Sequence, residues 1–402
     1  MVSGIGIVSA LGTSHDAFRD SLLEGRTGIT TLTAFETTAC RTTLAASLGE
    51  FRPLDWVAAM KLRRLDRTGV YALATTKLAF DDACTVVRDD GDDSVGVVLG
   101  TSTAGGQSTQ VFLEALFRGG PTNAPAMLFD STVGNAAASL VAIDFKMRGP
   151  NITLSHKEAS SLSAIVMAVD LLREGRASGL VAGGVEAIYE TVFKAHDRFK
   201  VMSADKVFSR RLSPFDAERA GWVMGEGGCS LLLEPGDGSS RGRHGEILGV
   251  AASSAAVPLN EWPLEPEPLA RTMHLAIADA GLSPSDVNVV YASANATRLD
   301  DTEARAIADV FGDSKPIVTS IKGALGESGA SGSTACAAAL LCGAVKQVPP
   351  IAGLTEACSV AGRLRLARER TACEGPIALI NSFASGGALF SVVVRAAQGE
   401  AH

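Results

Sequence analysis

The chain has 402 residues, of which 46% are hydrophobic, and carries a formal net charge of −8 at pH 7. This length suffices for one large two-part domain or two ordinary buried cores. The acidic balance disfavours nucleic acid and anionic membranes as partners. No apolar run approaches 18 residues and no basic residue precedes Arg19, so we predict neither a membrane span nor a secretory signal.

The cysteines are odd in number and scattered, and they form no CxxC pair. This usage is typical of reduced thiols in a cytoplasmic protein, without a disulfide framework or a zinc site. We expect no metal and no cofactor. The seven positions are Cys40, Cys84, Cys229, Cys336, Cys342, Cys358 and Cys373.

Short apolar, β-branched runs in the first half predict strands at 2–9, 96–102, 151–155, 179–187 and 229–235. Between the third and fourth of these, apolar residues recur at helical spacing and predict a helix with one apolar face. Its apolar positions are Leu162, Ile165, Val166, Val169 and Leu172. Alternating strands and helices indicate the α/β class with parallel or mixed sheets.

The second half repeats this order. VNVVYASANAT (287–297) is similar to VGVVLGTSTA (95–104), and PIVTSIK is followed by a small-residue helix over 331–345. PIALINSF (376–383) predicts a closing strand. The segment 236–245, rich in glycine, serine and charge, predicts a linker. We therefore predict two related halves, 1–235 and 246–402.

Four segments in the same order resemble the β-ketoacyl synthases of the thiolase superfamily. The resemblance implies the duplicated, five-layered α-β-α-β-α thiolase fold and a dimer. The segments are SGIGIVSALG (3–12), GPNITLSHKEASSLSAI (149–165), SPFDAERAGWVMGEGG (213–228) and NSFASGGAL (381–389).

The resemblance also implies a nucleophilic cysteine and two catalytic histidines, and none of the three is present. Glu158 occupies the cysteine position, and Asn295 and Glu327 occupy the histidine positions. Removing one charge-stabilising donor typically lowers a rate by roughly 10²–10³, and removing the nucleophile ends covalent catalysis. We therefore predict no condensing activity by this chain alone.

Glu158 would lie at the start of the helix that follows it, where the helix dipole should stabilise an anion. It is an inert residue of a vacated pocket, a structural anion held by a partner or by Lys157, or a group with a direct chemical role. Glu303 and Lys322 look like the family's structural ion pair. The family's acyl-gating phenylalanine is also missing, since residues 384–387 read ASGG.

Loss of chemistry on a retained fold resembles the chain length factors of type II polyketide and aryl polyene systems. The resemblance implies a heterodimer with a catalytic ketosynthase, with an acyl carrier protein and its growing chain bound mainly through that partner. Tunnel residues that set product length would lie on one helix, and an interface loop would follow it. The tunnel candidates are Gln107, Thr109, Gln110, Phe112 and Glu114, and the loop candidates are Phe129, Thr132, Val133 and Asn135.

Two other functions stay open. The chain could be a separate enzyme that uses Glu158 in hydrolysis or decarboxylation, or a pure scaffold that stabilises its partner without shaping the product. His156, beside Glu158, and Cys229, at the start of an apolar strand, are both interpreted as packing residues.

Overall fold

The computed structural model describes residues 1–49, 51–85, 90–236 and 243–397. Most of the predicted linker at 236–245 therefore lies outside the described residues. Within the described ranges, no helix combines the length and apolar character that crossing a membrane requires.

The first half alternates strands and helices, as the sequence predicts. Its strands are β1 (Val2–Val8), β2 (Ile29–Thr31), β3 (Leu44–Ala46), β4 (Val95–Gly100), β5 (Asn151–Leu154), β6 (Gly179–Glu186) and β7 (Gly227–Leu233). Its helices are α1 (His15–Leu23), α2 (Ala59–Leu62), α3 (Arg67–Asp82), α4 (Gly106–Gly119), α5 (Ala136–Asp144), α6 (Ser160–Arg173) and α7 (Glu190–Arg198). The predicted strands and the helix over 162–172 are confirmed within a few residues at each end.

The second half has the same alternation. Its strands are β8 (Gly245–Ser254), β9 (Val289–Tyr291), β10 (Ile317–Thr319), β11 (Gln347–Val348), β12 (Arg365–Leu366), β13 (Thr371–Ala372), β14 (Ile377–Phe383) and β15 (Ala388–Ala396). Its helices are α8 (Glu267–Asp279), α9 (Leu299–Phe311), α10 (Lys322–Leu325) and α11 (Ser331–Ala344).

Eleven strands form one mixed sheet in the order β12-β10-β9-β14-β15-β8-β1-β7-β6-β4-β5. In the first half, β5, β4 and β6 run parallel, and β7 and β1 continue antiparallel. In the second half, β10, β9 and β14 run parallel, and β15 and β8 continue antiparallel. The two halves therefore have the same strand pattern, and the pairing of Val2 with Gly245 joins them.

The helices complete five layers. α3 and α5 pack against strands of the first half, and α8, with α9 beside it, packs against strands of the second half. α6 and α11 pack against each other between the two halves, α6 on β4 and β6 and α11 on β14 and β15. The predicted α-β-α-β-α thiolase-like fold is confirmed by this arrangement.

Two glycines let the start of α6 approach the strand ends. A Cβ on Gly100 would lie 2.1 Å from the carbonyl oxygen of Ser160, and one on Gly184 would lie 2.5 Å from Cβ of Ser161. Real Cβ atoms do not approach other atoms this closely, so only glycine fits at these positions. The close approach brings the segment before α6, which contains Glu158, to the centre of the molecule.

Candidate functional site

Glu158 lies in a tight turn between β5 and α6. Residues Lys157–Ala159 form a single 3₁₀ turn, and α6 begins at Ser160. Lys157 has φ of 51°, a left-handed conformation that is uncommon for a residue with a side chain. This turn aims the Glu158 side chain toward the loop between β14 and β15.

The Glu158 carboxylate is held by Ser385. The Ser385 backbone N–H donates to Oε2 at 3.1 Å, and the Ser385 hydroxyl lies 3.0 Å from Oε1. Lys157 Nζ donates to the same hydroxyl at 3.0 Å and also contacts Asn260. Ser385 thus links the lysine ammonium to the carboxylate.

The expectation that the helix dipole keeps Glu158 ionised needs correction. Burial raises the pKa of Glu158 above its usual value, and the charge of Glu327 raises it further. Its backbone hydrogen bond, Lys157 and Ser385 act in the opposite direction without cancelling these effects. The Glu327 carboxylate therefore makes ionisation of Glu158 less favourable.

Asn295 and Glu327, the residues at the expected histidine positions, contact each other. Asn295 Nδ2 donates to Glu327 Oε2 at 2.8 Å, and Lys322 Nζ lies 2.7 Å from the same oxygen. Glu327 and Lys322 are both almost fully buried. The two positions are thus filled by a hydrogen-bonded amide and carboxylate, with no imidazole, and the carboxylate also forms an ion pair with Lys322.

Lys322 has a different partner from the one expected. The sequence comparison pairs Lys322 with Glu303, but in the structure Lys322 forms its ion pair with Glu327. Ser293 lies between Lys322 and Glu303. Lys322 Nζ donates to the Ser293 carbonyl at 2.7 Å, and the Ser293 backbone N–H donates to Glu303 Oε1 at 2.9 Å. Glu303 and Lys322 are therefore part of one network, without a direct salt bridge among the described contacts.

Two buried acids, Glu303 of this network and Asp300 beside it, have raised pKa values. Burial raises the pKa of Glu303 to about 7, against hydrogen bonds from Ser293 and Asn381 and the attraction of Lys322. Its Oε2 atom has no hydrogen-bond partner among the described residues. Burial likewise raises the pKa of Asp300 to about 6, although the backbone N–H groups of Phe215 and Asn295 donate to its carboxylate.

His156 and Cys229 pack as the sequence indicates. His156 Nδ1 lies 3.0 Å from Ser163 Oγ, and its ring packs against Phe390 at 5.3 Å between centroids. Burial lowers the pKa of His156, which favours a neutral ring. Cys229 is completely buried in β7, and burial raises the pKa of its thiol well above the usual value, so it is not a reactive thiolate.

A groove of about 520 Å³ runs along α4 and reaches α7. Three of the five tunnel candidates, Thr109, Gln110 and Glu114, lie in its wall with Leu113 and Phe117. Gln110 is fixed there, since its amide donates to Glu114 at 3.0 Å and accepts from Thr191 at 2.6 Å.

The other two tunnel candidates lie elsewhere on α4. Gln107 is exposed and outside the groove wall. Phe112 packs against Phe129 of the predicted interface loop, with ring centroids 5.6 Å apart. The structure therefore places three of the five candidates in the groove wall and the other two outside it.

The predicted interface loop lies beside α4. Thr109 donates to the carbonyl of Thr132 at 3.3 Å, and Thr132 donates to the carbonyl of Phe129 at 2.7 Å. Val133 and Asn135 are exposed and lead into α5. A second cavity, of about 340 Å³, lies between this loop and the starts of α3 and α5.

Large apolar side chains are exposed on α4, on the following loop and on α5. Such a concentration on one part of a surface is typical of an interaction site. We call it the α4–α5 face; its exposed apolar residues are Val111, Leu113, Phe117, Met127, Phe129, Val133 and Ile143.

The sequence comparison missed the role of Ser385. It identified the missing gate phenylalanine but did not connect that position with Glu158. The hydrogen bonds show that the residue at the gate position binds the residue at the nucleophile position, across 227 residues of chain. The only sequence signal was that both positions depart from the family pattern together.

Comparisons with known proteins agree with the fold. The model of the β-ketoacyl synthase N-terminal domain matches residues 1–237, and that of the C-terminal domain matches residues 244–355. The 3-oxoacyl-[acyl-carrier-protein] synthase 2 of Synechocystis sp. is 28% identical over 400 residues, covering 96% of this chain and 95% of the relative.

Two solved structures match nearly the whole chain. The ishigamide ketosynthase/chain length factor superposes with a TM-score of 0.90 at 25% identity, covering 98% of both chains. A β-ketoacyl synthase from Burkholderia phymatum superposes with a TM-score of 0.89 at 28% identity, covering 99% of both. The two domain models together cover most of the chain, and the protein therefore belongs to the β-ketoacyl synthase family.

Proposed function

We propose that this chain is a non-condensing subunit that pairs with a catalytic β-ketoacyl synthase and shapes the acyl chain which that partner extends. In this proposal the partner supplies the cysteine and the histidines. An acyl carrier protein delivers its chain mainly through the partner, because this chain is acidic, with a net charge of −8. The product is a polyketide or an aryl polyene.

The observation that carries the proposal is the contact between Glu158 and Ser385. A thioester intermediate needs a thiolate at the nucleophile position, and a carboxylate held through both oxygens by one serine is neither a nucleophile nor an open acceptor site.

The second support comes from Glu327. Stabilising negative charge on a thioester oxygen requires hydrogen-bond donors aimed at it. Glu327 instead places a carboxylate there, and that carboxylate occupies the donors of Asn295 and Lys322. The same arrangement would repel an enolate.

The third support is the α4–α5 face and its groove. A large exposed apolar surface favours burial against another protein, and the groove beside it has the size of a binding site for a small molecule or acyl chain. The groove wall includes Gln110 and Glu114, whose side chains limit its width. This supports a role in shaping a chain over a role as scaffold alone.

The hydrolase or decarboxylase alternative has less support. A general base must reach its substrate with a free lone pair, whereas both oxygens of Glu158 are engaged by Ser385. A direct role for Glu158 would require this contact to open during the reaction.

The test is co-expression with a ketosynthase from the same gene neighbourhood. We expect a one-to-one heterodimer by light scattering, and Leu113→Glu and Phe117→Glu should prevent it because each places a charge on the α4–α5 face. Leu275→Glu, at an exposed leucine on α8, is the matched control and should leave the heterodimer intact. A chain that never binds the ketosynthase would refute the proposal.

The same complex separates the specificity role from the scaffold role. Gln110→Trp narrows the groove and should shorten the product made by the heterodimer, measured by mass spectrometry. Leu275→Trp adds the same side chain elsewhere and should leave the product unchanged. An unchanged product with Gln110→Trp in an intact heterodimer would favour the scaffold.

A further inference from the structure

Three side chains distant in sequence meet beside β1. His15 is the first residue of α1, Asp82 is the last residue of α3, and His244 immediately precedes β8. One ligand atom from each lies within 4.8 Å of the other two. All three side chains are partly buried, so solvent can still reach them.

His15 is oriented like a metal-binding histidine. Its Nε2 lies 2.7 Å from the carbonyl oxygen of Ile5. A carbonyl only accepts, so Nε2 carries the hydrogen and Nδ1 of the neutral ring keeps its lone pair. Nδ1 lies 3.8 Å from Asp82 Oδ1. A backbone acceptor that fixes the distal ring nitrogen is the usual support for a histidine ligand.

Asp82 keeps one carboxylate oxygen for an ion. Its Oδ2 accepts from the Ile5 backbone N–H at 2.8 Å and lies 2.6 Å from His244 Nε2. Oδ1 has longer contacts only, to His15 Nδ1 and to Arg243 Nε at 3.9 Å, among the described residues.

His244 is held in place by the backbone on both sides. Its N–H donates to the carbonyl of Val2, and its own carbonyl accepts from the N–H of Ala397. Its ring packs edge-on against His15 with centroids 5.3 Å apart. The cluster therefore joins α1 and α3 of the first half to the first strand of the second half.

We propose that His15, Asp82 and His244 bind one divalent transition-metal ion of the zinc class. The ligands would be Nδ1 of His15, Oδ1 of Asp82 and Nε2 of His244, with water in a fourth position. Tetrahedral zinc at about 2.0–2.1 Å from its ligands needs ligand atoms roughly 3.3 Å apart. Nδ1 of His15 and Oδ1 of Asp82 are 3.8 Å apart, close to that value, and one ligand atom from each of the three residues lies within 4.8 Å of the others. His244 Nε2 lies 2.6 Å from Oδ2 of the same carboxylate, and its ring proton would move from Nε2 to Nδ1 when it binds the ion.

Among the described residues that contact Asp82, Arg243 carries the charge that opposes a cation. Its Nε lies 3.9 Å from Asp82 Oδ1, with 56% of the side chain exposed. An exposed arginine can turn into solvent at little cost. The cysteine spacing that argued against a zinc site does not apply here, because the ligands are imidazole and carboxylate groups brought together by the fold. The ion would fasten the junction between the two halves, independently of acyl-chain chemistry.

The test is titration of the full chain, stripped with a chelator, with Co²⁺ and then Zn²⁺. We expect one ion per chain, visible absorption typical of low-coordinate Co²⁺, its loss on adding Zn²⁺, and a higher melting temperature with Zn²⁺. His15→Gln keeps a donor for the Ile5 carbonyl, and it and His244→Ala should weaken binding by at least ~100-fold, more than loss of a supporting contact does.

Control variants separate this site from other ligands. His274→Ala removes an exposed histidine on α8 and Cys84→Ser removes an exposed thiol, and both should bind as wild type does. Arg243→Gln should tighten binding several-fold. Absence of stoichiometric binding to the wild type would overturn the proposal. So would unchanged binding in His15→Gln and Asp82→Asn chains that show native circular dichroism.

Discussion

A carboxylate lies just before each of the two central helices, and the two carboxylates have different partners. Glu158 precedes α6 and is held by the neutral donors of Ser385, while the Lys157 ammonium reaches that serine. Glu327 precedes α11 and is paired directly with the Lys322 ammonium at 2.7 Å. The two halves have the same strand pattern, so topology alone does not explain the difference.

The difference teaches that local charge compensation, and not position at a helix start, governs these acids. A helix N-terminus stabilises a nearby anion by up to about 2 kcal/mol when partly buried. For Glu158, burial and the Glu327 charge outweigh that contribution and raise its pKa. Glu327 differs in having a lysine ammonium as its direct partner, and removing one partner of such a buried pair is strongly destabilising.

The largest effect is expected from breaking the ion pair between Lys322 and Glu327. Lys322→Met leaves a buried carboxylate without its cation and should lower the free energy of unfolding by about 3–5 kcal/mol. Denaturant unfolding followed by circular dichroism measures it. Lys322→Met combined with Glu327→Gln should recover much of the loss, and Lys77→Met, at an exposed pair with Asp81, should cost under about 0.5 kcal/mol.

The next effect concerns pH. The pKa of Glu303 is raised from 4.5 to about 7, so the folded state binds more protons than the unfolded state between these values. Stability from this group is therefore complete below pH 4.5 and is lost as pH rises through about 7, by up to about 3 kcal/mol.

Glu303→Gln should remove this part of the pH dependence. Unfolding free energies measured from pH 5 to 8 should fall less steeply in the variant than in the wild type. Glu265→Gln, at an exposed position, is the control and should follow the wild-type slope. An identical slope in Glu303→Gln would show that the buried carboxyl stays ionised throughout.

The smallest expected effect concerns Glu158. The raised pKa of Glu158 means that its ionisation costs folding free energy above its unfolded pKa, so Glu158→Gln should stabilise the chain at pH 8 and have little effect near pH 4. Ser385→Ala removes one donor and should destabilise by about 1 kcal/mol at pH 8. If both variants match the wild type in urea unfolding at both pH values, Ser385 does not hold Glu158 as described.

The fold was predictable because its signals are local. Apolar runs such as those of β4 and β6, and the helical spacing from Leu162 to Leu172, depend on neighbours in sequence. The similarity between 95–104 and 287–297 indicated the duplication before the sheet order was known. What the sequence did not contain was the pairing of β1 with β8 through Val2 and Gly245.

The site was only partly predictable because its contacts cross the fold. Glu158, Asn295 and Glu327 were found as substituted positions, yet Ser385 and the true partner of Lys322 depend on tertiary distance. On α4, residues advance by about 100° each, so Thr109, Gln110, Leu113, Glu114 and Phe117 share a side while Phe112 turns away toward Phe129. Spacing from Gly105 and Gly106 did not resolve that rotation.

The contact between Ser385 and Glu158 also has an evolutionary consequence. Two positions 227 residues apart now depend on each other, since Ser385 donates twice to the carboxylate. A thiol at position 158 would leave the backbone N–H and the hydroxyl of Ser385 without their carboxylate acceptor, and a bulky apolar side chain at position 385 would remove the hydroxyl donor of Glu158. A change of either position alone to the family pattern therefore breaks this contact, and it leaves the two histidine positions occupied by Asn295 and Glu327.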